Sequence, residues 1–444
     1  MAIEICTVGG YNEVGKNMTA VKIDNEVVIL DMGLHLEKYI QYKGDEDVRK
    51  LTSSELKRVD AIPNDDAIKD WKKLVKIIIP THAHLDHVGA IPFMSNKYNA
   101  PIVCTPYTAE VIKSIVKDDR FTLKNKIKVL NANSTYKISK SLKLEFINVT
   151  HSTPHTVMVA LHTPEGIILY ANDFKFDNFP TLGKKPEYKR LKEIGKEGVK
   201  ALVVDGTRAK QQGKTPSESV AKELLRDVLI ATESKGKVVL VTTFSSHLAR
   251  LKSIIEFGKK MNRRIVFLGR SLAKYVYSGE AIGIISFSKD VEIVKYSKQI
   301  RKRLRQINEE KRDKYLLVVT GHQGEPDSVL SRIATHDLPF DLQPEDDVVF
   351  SCSVIPNALN IANREILENQ LRRYKVRIFK DIHTSGHAAR EDLRDLINMV
   401  RPEHIIPAHG DFTMISALTD LAIEMDYELG KSVHIMQNGQ RIAF

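Results

Sequence analysis

Short runs of alternating apolar and polar residues open the chain. IEICTVGG, MTAVKID and VVILDMG fall within residues 3–33, broken by Gly9-Gly10, Gly15 and Asn25-Glu26. Period-two alternation between turn residues predicts β-hairpins. Residues 34–74 are charge-rich and weakly periodic, which predicts a loop-and-helix insertion serving as a lid or a contact surface. Trp71, the only tryptophan, reads as a core anchor ahead of VKIII (75–79). That run is short, β-branched and closed by Pro80, so it predicts a buried strand ending there. Strand and helix patterns then alternate through APIVCT, a helix over 108–116, LKLEFINVTHS, GIILYANDFKFD and ALVVDGTRAK.

From 208 to 362 the pattern changes. KVVLVTTF, RRIVFLG, YLLVVTG and DVVFSCS are four apolar runs separated by helical segments at 216–235, 246–261 and 293–311. Such βαβ alternation predicts a parallel sheet able to stand as its own domain. Short strands return with KVRIFK, a loop at 381–392, a helix to Val400 and HIIPAHGD. The expected organisation is a first domain at 1–207, an inserted domain at 208–362, and the rest of the first domain at 363–444.

Length and composition narrow this only a little. A chain of 444 residues has a prior of about two to three domains. Apolar and charged contents of 42% and 28% are those of an ordinary globular protein. No apolar run approaches the ~20 residues of a membrane span, and MAIEICTVGG has no secretory pattern. Cys6, Cys104 and Cys352 are far apart and suit a reducing compartment. A cytoplasmic protein with no membrane partner is expected. Net charge is +11, which favours anionic partners, nucleic acid first.

The chemistry concentrates in THAHLDHVGA (81–90). His82, His84, Asp86 and His87 crowd the loop after the buried strand, although the whole chain has only 15 histidines. Buried polar groups without partners are costly, so packing does not explain such a cluster. Imidazole and carboxylate suit Zn²⁺ or Mn²⁺, and the H-x-H-x-D-H order lets alternate side chains face one ion while Asp86 and His87 face another. His151, just past a strand, is placed to add a third imidazole, with His155 a competitor. Asp173 at a strand end can bridge two cations; a turn or a helix cap is its alternative. His409, after another strand ending near Pro, can supply the imidazole that Asp86 and His87 lack. Asp31, at the end of VVIL, is placed to orient a ligand histidine from behind; a turn residue before Gly33 is its alternative. Small polar groups lie at the inserted strands' ends: Ser245-Ser246-His247, the loop 321–326, Ser351 and Ser353. Together with His383, Ser385 and Gly386 they expose donors suited to a phosphate.

H-x-H-x-D-H with His151, Asp173 and His409 resembles the ligand set of the metallo-β-lactamase superfamily. Asp205 at a strand end, HTSGHA with His387 and PAHGD with His409, around an inserted α/β module, resemble its β-CASP branch. GGYNEVGKNMTA, ANDFKFD and TGHQGEP are closer still to the ribonuclease J family, in a short archaeal-type form without the C-terminal domain of bacterial members. The departures are His322 for a common Ser, Asn172 for a common Gly, and Gly206-Thr207-Arg208 after Asp205.

The resemblance implies an αββα sandwich with an inserted parallel-sheet β-CASP domain. It implies two divalent cations, Zn²⁺ first and Mn²⁺ second, held by His82, His84, Asp86, His87, His151, Asp173 and His409. Asp86, Asp205 and His387 are the expected catalytic residues, His387 protonating the 3′-oxygen leaving group. The implied reaction is 5′→3′ exonucleolysis of single-stranded RNA with a 5′-monophosphate, bound by Ser245, Ser246, His247, His383, Ser385, Gly386 and His387. A homodimer is implied as well. A β-CASP endonuclease, a DNA-directed nuclease and an inactive RNA-binding scaffold are the alternatives.

Overall fold

The computed structural model describes residues 3–44 and 51–444. The chain forms two compact units. The first contains Met1–Asn178, Gly183–Thr215 and Gly386–Phe444; the second contains Phe179–Leu182 and Pro216–Ser385.

Two sheets build the first unit. Strands β1 (Ile3–Gly9), β2 (Met18–Ile23), β3 (Glu26–Leu30), β4 (Val75–Ile79), β5 (Ile102–Cys104) and β6 (Ile127–Val129) lie in that order, and β19 (Gln440–Ala443) adds an edge beside β1. The second sheet runs β18 (His404–Ala408), β11 (Val199–Asp205), β10 (Gly166–Ala171), β9 (Val157–Thr163), β8 (Lys143–Asn148) and β7 (Thr135–Lys137). Their inner faces share one core: Ile3, Val21, Val28 and Ile77 meet Leu144, Val159, Ile168, Val203 and Ile406. The outer face of the second sheet is covered by helices Tyr188–Glu197, Arg390–Val400 and Phe412–Glu424, which bring Leu191, Leu396 and Leu418 against Leu169 and Leu202. Helix Pro106–Asp118 buries Tyr107, Val111 and Ile112 beside the first sheet. The layering is helix, sheet, sheet, helix, as the burial of each amphipathic face demands.

Two registers matter for function. β10, β11 and β18 are mutually parallel, pairing Ala171 with Val204 and Asp205 with Ala408. In the first sheet β3 and β4 are parallel, pairing Leu30 with Ile79. The residues following each of these strands therefore emerge at a common edge.

Six parallel strands form the second unit: β14 (Val291–Val294), β13 (Arg264–Leu268), β15 (Tyr315–Val319), β12 (Val239–Thr242), β16 (Asp347–Phe350) and β17 (Arg377–Phe379), in that spatial order. Helices Glu218–Ala231, Leu248–Lys260, Arg270–Ala281, Ser297–Glu309 and Ala358–Arg373 connect them. Two expectations change here. The single helix at 293–311 divides, because VEIV forms β14 and the helix starts at Ser297. KVRIFK supplies β17, whose Ile378 pairs with Val348, so this unit continues to Ser385 instead of ending at 362. A short β-branched run can extend either sheet, and only long-range pairing decides which.

In the 34–74 insertion Leu56, Ile62, Ile68 and Trp71 are buried. Trp71 lies under Lys22 and Arg441, whose cationic groups are 5.6 and 4.3 Å from its ring centroid. Among the described residues no helix is long and apolar enough to cross a membrane.

Candidate active site

β4 ends at Ile79, and the chain turns into the histidine loop under tight backbone control. Thr81 N and Oγ1 donate to Asp31 Oδ1 at 2.8 and 3.0 Å. His84 caps the short helix Leu85–Val88. Met32 N donates to His87 O at 2.8 Å, and Leu34 N to Leu85 O at 2.9 Å. Gly33 lies so close under this loop that a Cβ would come within 1.6 Å of Asp86 O, so only glycine fits.

Two donor sets converge. The first is His82, His84, His151 and Asp173, and the second is Asp86, His87, Asp173 and His409; within each, the ligand atoms all lie within 4.8 Å of one another. In the first, His84 Nδ1 is 3.1 Å from His82 Nε2 and 3.2 Å from His151 Nε2. Asp173 Oδ2 stands 3.4 and 3.5 Å from the latter two nitrogens. A tetrahedron with metal–nitrogen bonds of about 2.0–2.1 Å has edges of roughly 3.3–3.4 Å, so this spacing is that of ligands around a common ion. In the second set Asp173 Oδ1 is 3.2 Å from His87 Nε2 and 3.5 Å from His409 Nε2, and Asp86 Oδ2 is 3.6 Å from each of those nitrogens.

Asp173 thus turns one carboxylate oxygen to each set. It is 1% exposed, and its Oδ1 accepts no hydrogen bond. A buried carboxylate oxygen with no hydrogen-bond donor is costly, and a divalent cation between the rings relieves that cost. Burial, with the charge of His82 next, holds His84 well below the usual imidazole range. Burial does the same to His151. Both are then neutral, the form that ligates. The donor sets fit two divalent cations.

Four of the five donor imidazoles are fixed from behind. His87 Nδ1 pairs with Asp31 Oδ2 at 2.8 Å, His151 Nδ1 with Gly386 O at 2.8 Å, His409 Nδ1 with Asn17 Oδ1 at 3.0 Å, and His82 Nδ1 with Thr81 Oγ1 at 3.1 Å. Such contacts fix ring orientation and tautomer. Sequence reasoning reached Asp31 but missed Asn17 and Thr81. A buried Asn in a Gly-rich loop carries no local mark that separates it from a turn residue.

His387 adjoins both sets. Its Nδ1 lies 2.8 Å from Asp205 Oδ2 and its Nε2 4.0 Å from Asp173 Oδ2. Asp205 Oδ1 is held by Thr207 N and Oγ1 at 2.8 and 2.7 Å. Burial opposes the imidazolium, but Asp205 and then Asp173 outweigh it and lift His387 to about 9. His155, the competitor of His151, is outside both donor sets.

The polar groups expected to bind a phosphate are divided between the units, with Gly386 and His387 in the first and the rest in the second. In the second unit Ser245 Oγ is 2.9 Å from Ser271 Oγ, Ser246 is buried, and His383 and Ser385 are half-buried. His247 is 4% exposed; its Nδ1 accepts from Arg250 N, and its Nε2 is 3.3 Å from Glu218 Oε2. Arg250, fully buried, binds Glu218 through Nε and Nη2 at 2.6 and 2.8 Å. Its Nη1 reaches Ser351 O, Ser351 Oγ and Ile382 O at 2.9, 2.9 and 3.1 Å. One buried ion pair thereby ties together the loops after β12, β16 and β17. Gly386 packs on His151 instead: a Cβ there would be 2.8 Å from that ring.

Three family models cover the chain: the metallo-beta-lactamase superfamily over 11–241, the ribonuclease J beta-CASP domain over 235–369, and the Zn-dependent metallo-hydrolase RNA specificity domain over 373–436. Ribonuclease J of Methanocaldococcus jannaschii is 46% identical, the match covering 100% of this chain and 99% of that protein. The chain belongs to the ribonuclease J family. Ribonuclease J of Pyrococcus abyssi is 45% identical over 98% of this chain and 96% of its own length. Ribonuclease J 1 of Streptococcus pyogenes is 29% identical over 99% of this chain but 74% of its own length. A solved Enterococcus faecalis protein of unknown function shares the fold at 17% identity, with a TM-score of 0.64 and full coverage of both chains. Membership in the ribonuclease J family fixes the architecture as a metallo-β-lactamase sandwich carrying a β-CASP domain.

Proposed function

We propose that this chain is a metal-dependent ribonuclease that degrades single-stranded RNA 5′→3′ from 5′-monophosphate ends, releasing 5′-mononucleotides. The observation that carries the reading is Asp173, whose two oxygens serve two histidine-rich donor sets beside the Asp205–His387 pair. A pair of divalent cations in those sets supplies, when bound, a water nucleophile at neutral pH and charge neutralisation at the reacting phosphate. The side chains account for the rest. Asp173, Asp86 and the five ligand imidazoles hold the reacting centre in place. Asp205 accepts a hydrogen bond from Nδ1–H of His387 and so holds the imidazolium, whose Nε2 proton passes to the 3′-oxygen leaving group, a transfer typically worth ~10²- to 10⁴-fold. Hydroxyl and backbone donors of Ser245, Ser246, His383 and Ser385 take the 5′-monophosphate, with His247 behind them as a support. Zn²⁺ is the first candidate metal and Mn²⁺ the second, since nitrogen and oxygen ligands suit both.

A time course on 5′-monophosphate RNA labelled at its 3′ end tests this. Exonucleolysis yields labelled mononucleotide directly from full-length RNA; labelled fragments of intermediate length that depend on sequence would establish an endonuclease instead.

A further inference from the structure

We propose that Asn17 sets the tautomer of His409 and so makes the second donor set competent for a cation. The inference rests on the two-cation reading and adds a positioning residue outside both sets. Asn17 is 1% exposed. Its backbone is tied to the metal loop, N donating to Asp86 O at 2.9 Å and O accepting from Gly33 N at 3.0 Å.

The amide's orientation follows from what it faces. Nδ2 lies 3.2 Å from the Asp86 carbonyl oxygen. A carbonyl oxygen only accepts, so the end of the amide facing it is the NH₂ group. The other end, Oδ1, is then the one 3.0 Å from His409 Nδ1. An amide oxygen also only accepts, which puts the His409 proton on Nδ1 and leaves Nε2 bare. That bare nitrogen stands 3.5 Å from Asp173 Oδ1 and 3.6 Å from Asp86 Oδ2. His87 takes its tautomer from the other side of its ring: Nδ1 gives its proton to Asp31 Oδ2 at 2.8 Å, which leaves Nε2 for the cation. The buried amide therefore turns the lone pair of His409 toward the two carboxylates of the second set.

Two details show that the place is built for an amide. Gly10, whose carbonyl accepts from His409 N at 2.6 Å, leaves it room, since a Cβ there would sit 2.3 Å from Asn17 Oδ1. Aspartate in its place keeps the acceptor for His409 but has no hydrogen for Asp86 O.

The test is a cation titration of the chelator-stripped full chain with Co²⁺, read by visible absorption, alongside Asn17→Ala and Asn17→Asp. Wild type takes two equivalents. Asn17→Ala keeps the first at wild-type affinity and binds the second about 10- to 100-fold more weakly, as loss of an outer partner does elsewhere; Asn17→Asp falls between. An Asn17→Ala titration and spectrum matching wild type would overturn the inference. A wild type that binds fewer than two ions brings down the two-cation reading itself, and the inference with it. Should the alanine variant not fold, histidine ¹⁵N shifts of metal-free wild type give the answer, with the His409 signals assigned by their loss in His409→Gln. The Nδ1–H tautomer supports the inference, and Nε2–H refutes it.

Discussion

Gly386→Ala isolates a link between the first donor set and the proton donor. A Cβ at 386 would lie 2.8 Å from both Cε1 and Nδ1 of His151 and 3.2 Å from Ser152 N. Ordinary carbon contacts are about 3.5–4.0 Å, so ring or backbone must yield by about 0.7 Å. The ring has little room, because the rings of His82 and His84 stand 4.9 Å from it and that of His387 5.1 Å. If the ring yields, the 2.8 Å bond from His151 Nδ1 to Gly386 O is lost, and first-site cation affinity falls about 10- to 100-fold. If the backbone yields, His387 moves with it, and misplacement by about 1 Å costs on the order of 100-fold in rate. In both cases turnover falls while RNA affinity stays. The assay pairs a cation titration with single-turnover hydrolysis and a filter-binding measurement. A variant with wild-type turnover and wild-type cation affinity refutes the argument, because the contact then costs nothing.

Three further outcomes are expected. His84→Ala abolishes hydrolysis but leaves RNA binding largely intact; near wild-type turnover in a preparation free of contaminating nuclease refutes the ligand assignment. Asp205→Asn removes the carboxylate that stabilises the His387 imidazolium, so the proton donor is lost at lower pH; the alkaline limb of the kcat profile shifts to lower pH, and an unmoved limb refutes the pairing. Arg250→Met strips the buried Glu218 of its partner and destabilises the second unit by about 3–5 kcal/mol, measured by urea denaturation; a loss below about 1 kcal/mol would place the pair in the range of surface salt bridges.

The donor residues were legible because of where parallel strands end. His82, His151, Asp173 and His409 each stand within three residues of a strand terminus, where a side chain leaves the sheet edge and can meet others. An apolar run followed by His or Asp is a local signal, and the contiguous H-x-H-x-D-H narrows the rest. The choice between His151 and His155 was also local. His151 lies three residues past β8, whereas His155 is the second residue before β9 and joins neither donor set.

What stayed hidden depends on pairings that no window of sequence contains. Asn17 reaches His409 across 392 residues, and nothing in GGYNEVGKNMTA marks its amide as different from that of a turn. It faces His409 because β11 and β18 run parallel in register, bringing His409 to the edge, and because His409 N and Gly10 O bond at 2.6 Å. Arg250 is the same lesson with the opposite sign. In TTFSSHLARL it follows the candidate ligand-binding His247 by three residues. In the fold Arg250 has no exposed surface, and both ring nitrogens of His247 face inward to Arg250 and Glu218. The polarity of such residues predicts solvent only until a partner of opposite charge is folded against them, and Glu218 is 32 residues away. The groups that form the two donor sets can therefore be read from their own neighbourhoods, whereas the groups that aim them belong to the topology and become visible only when the sheets are assembled.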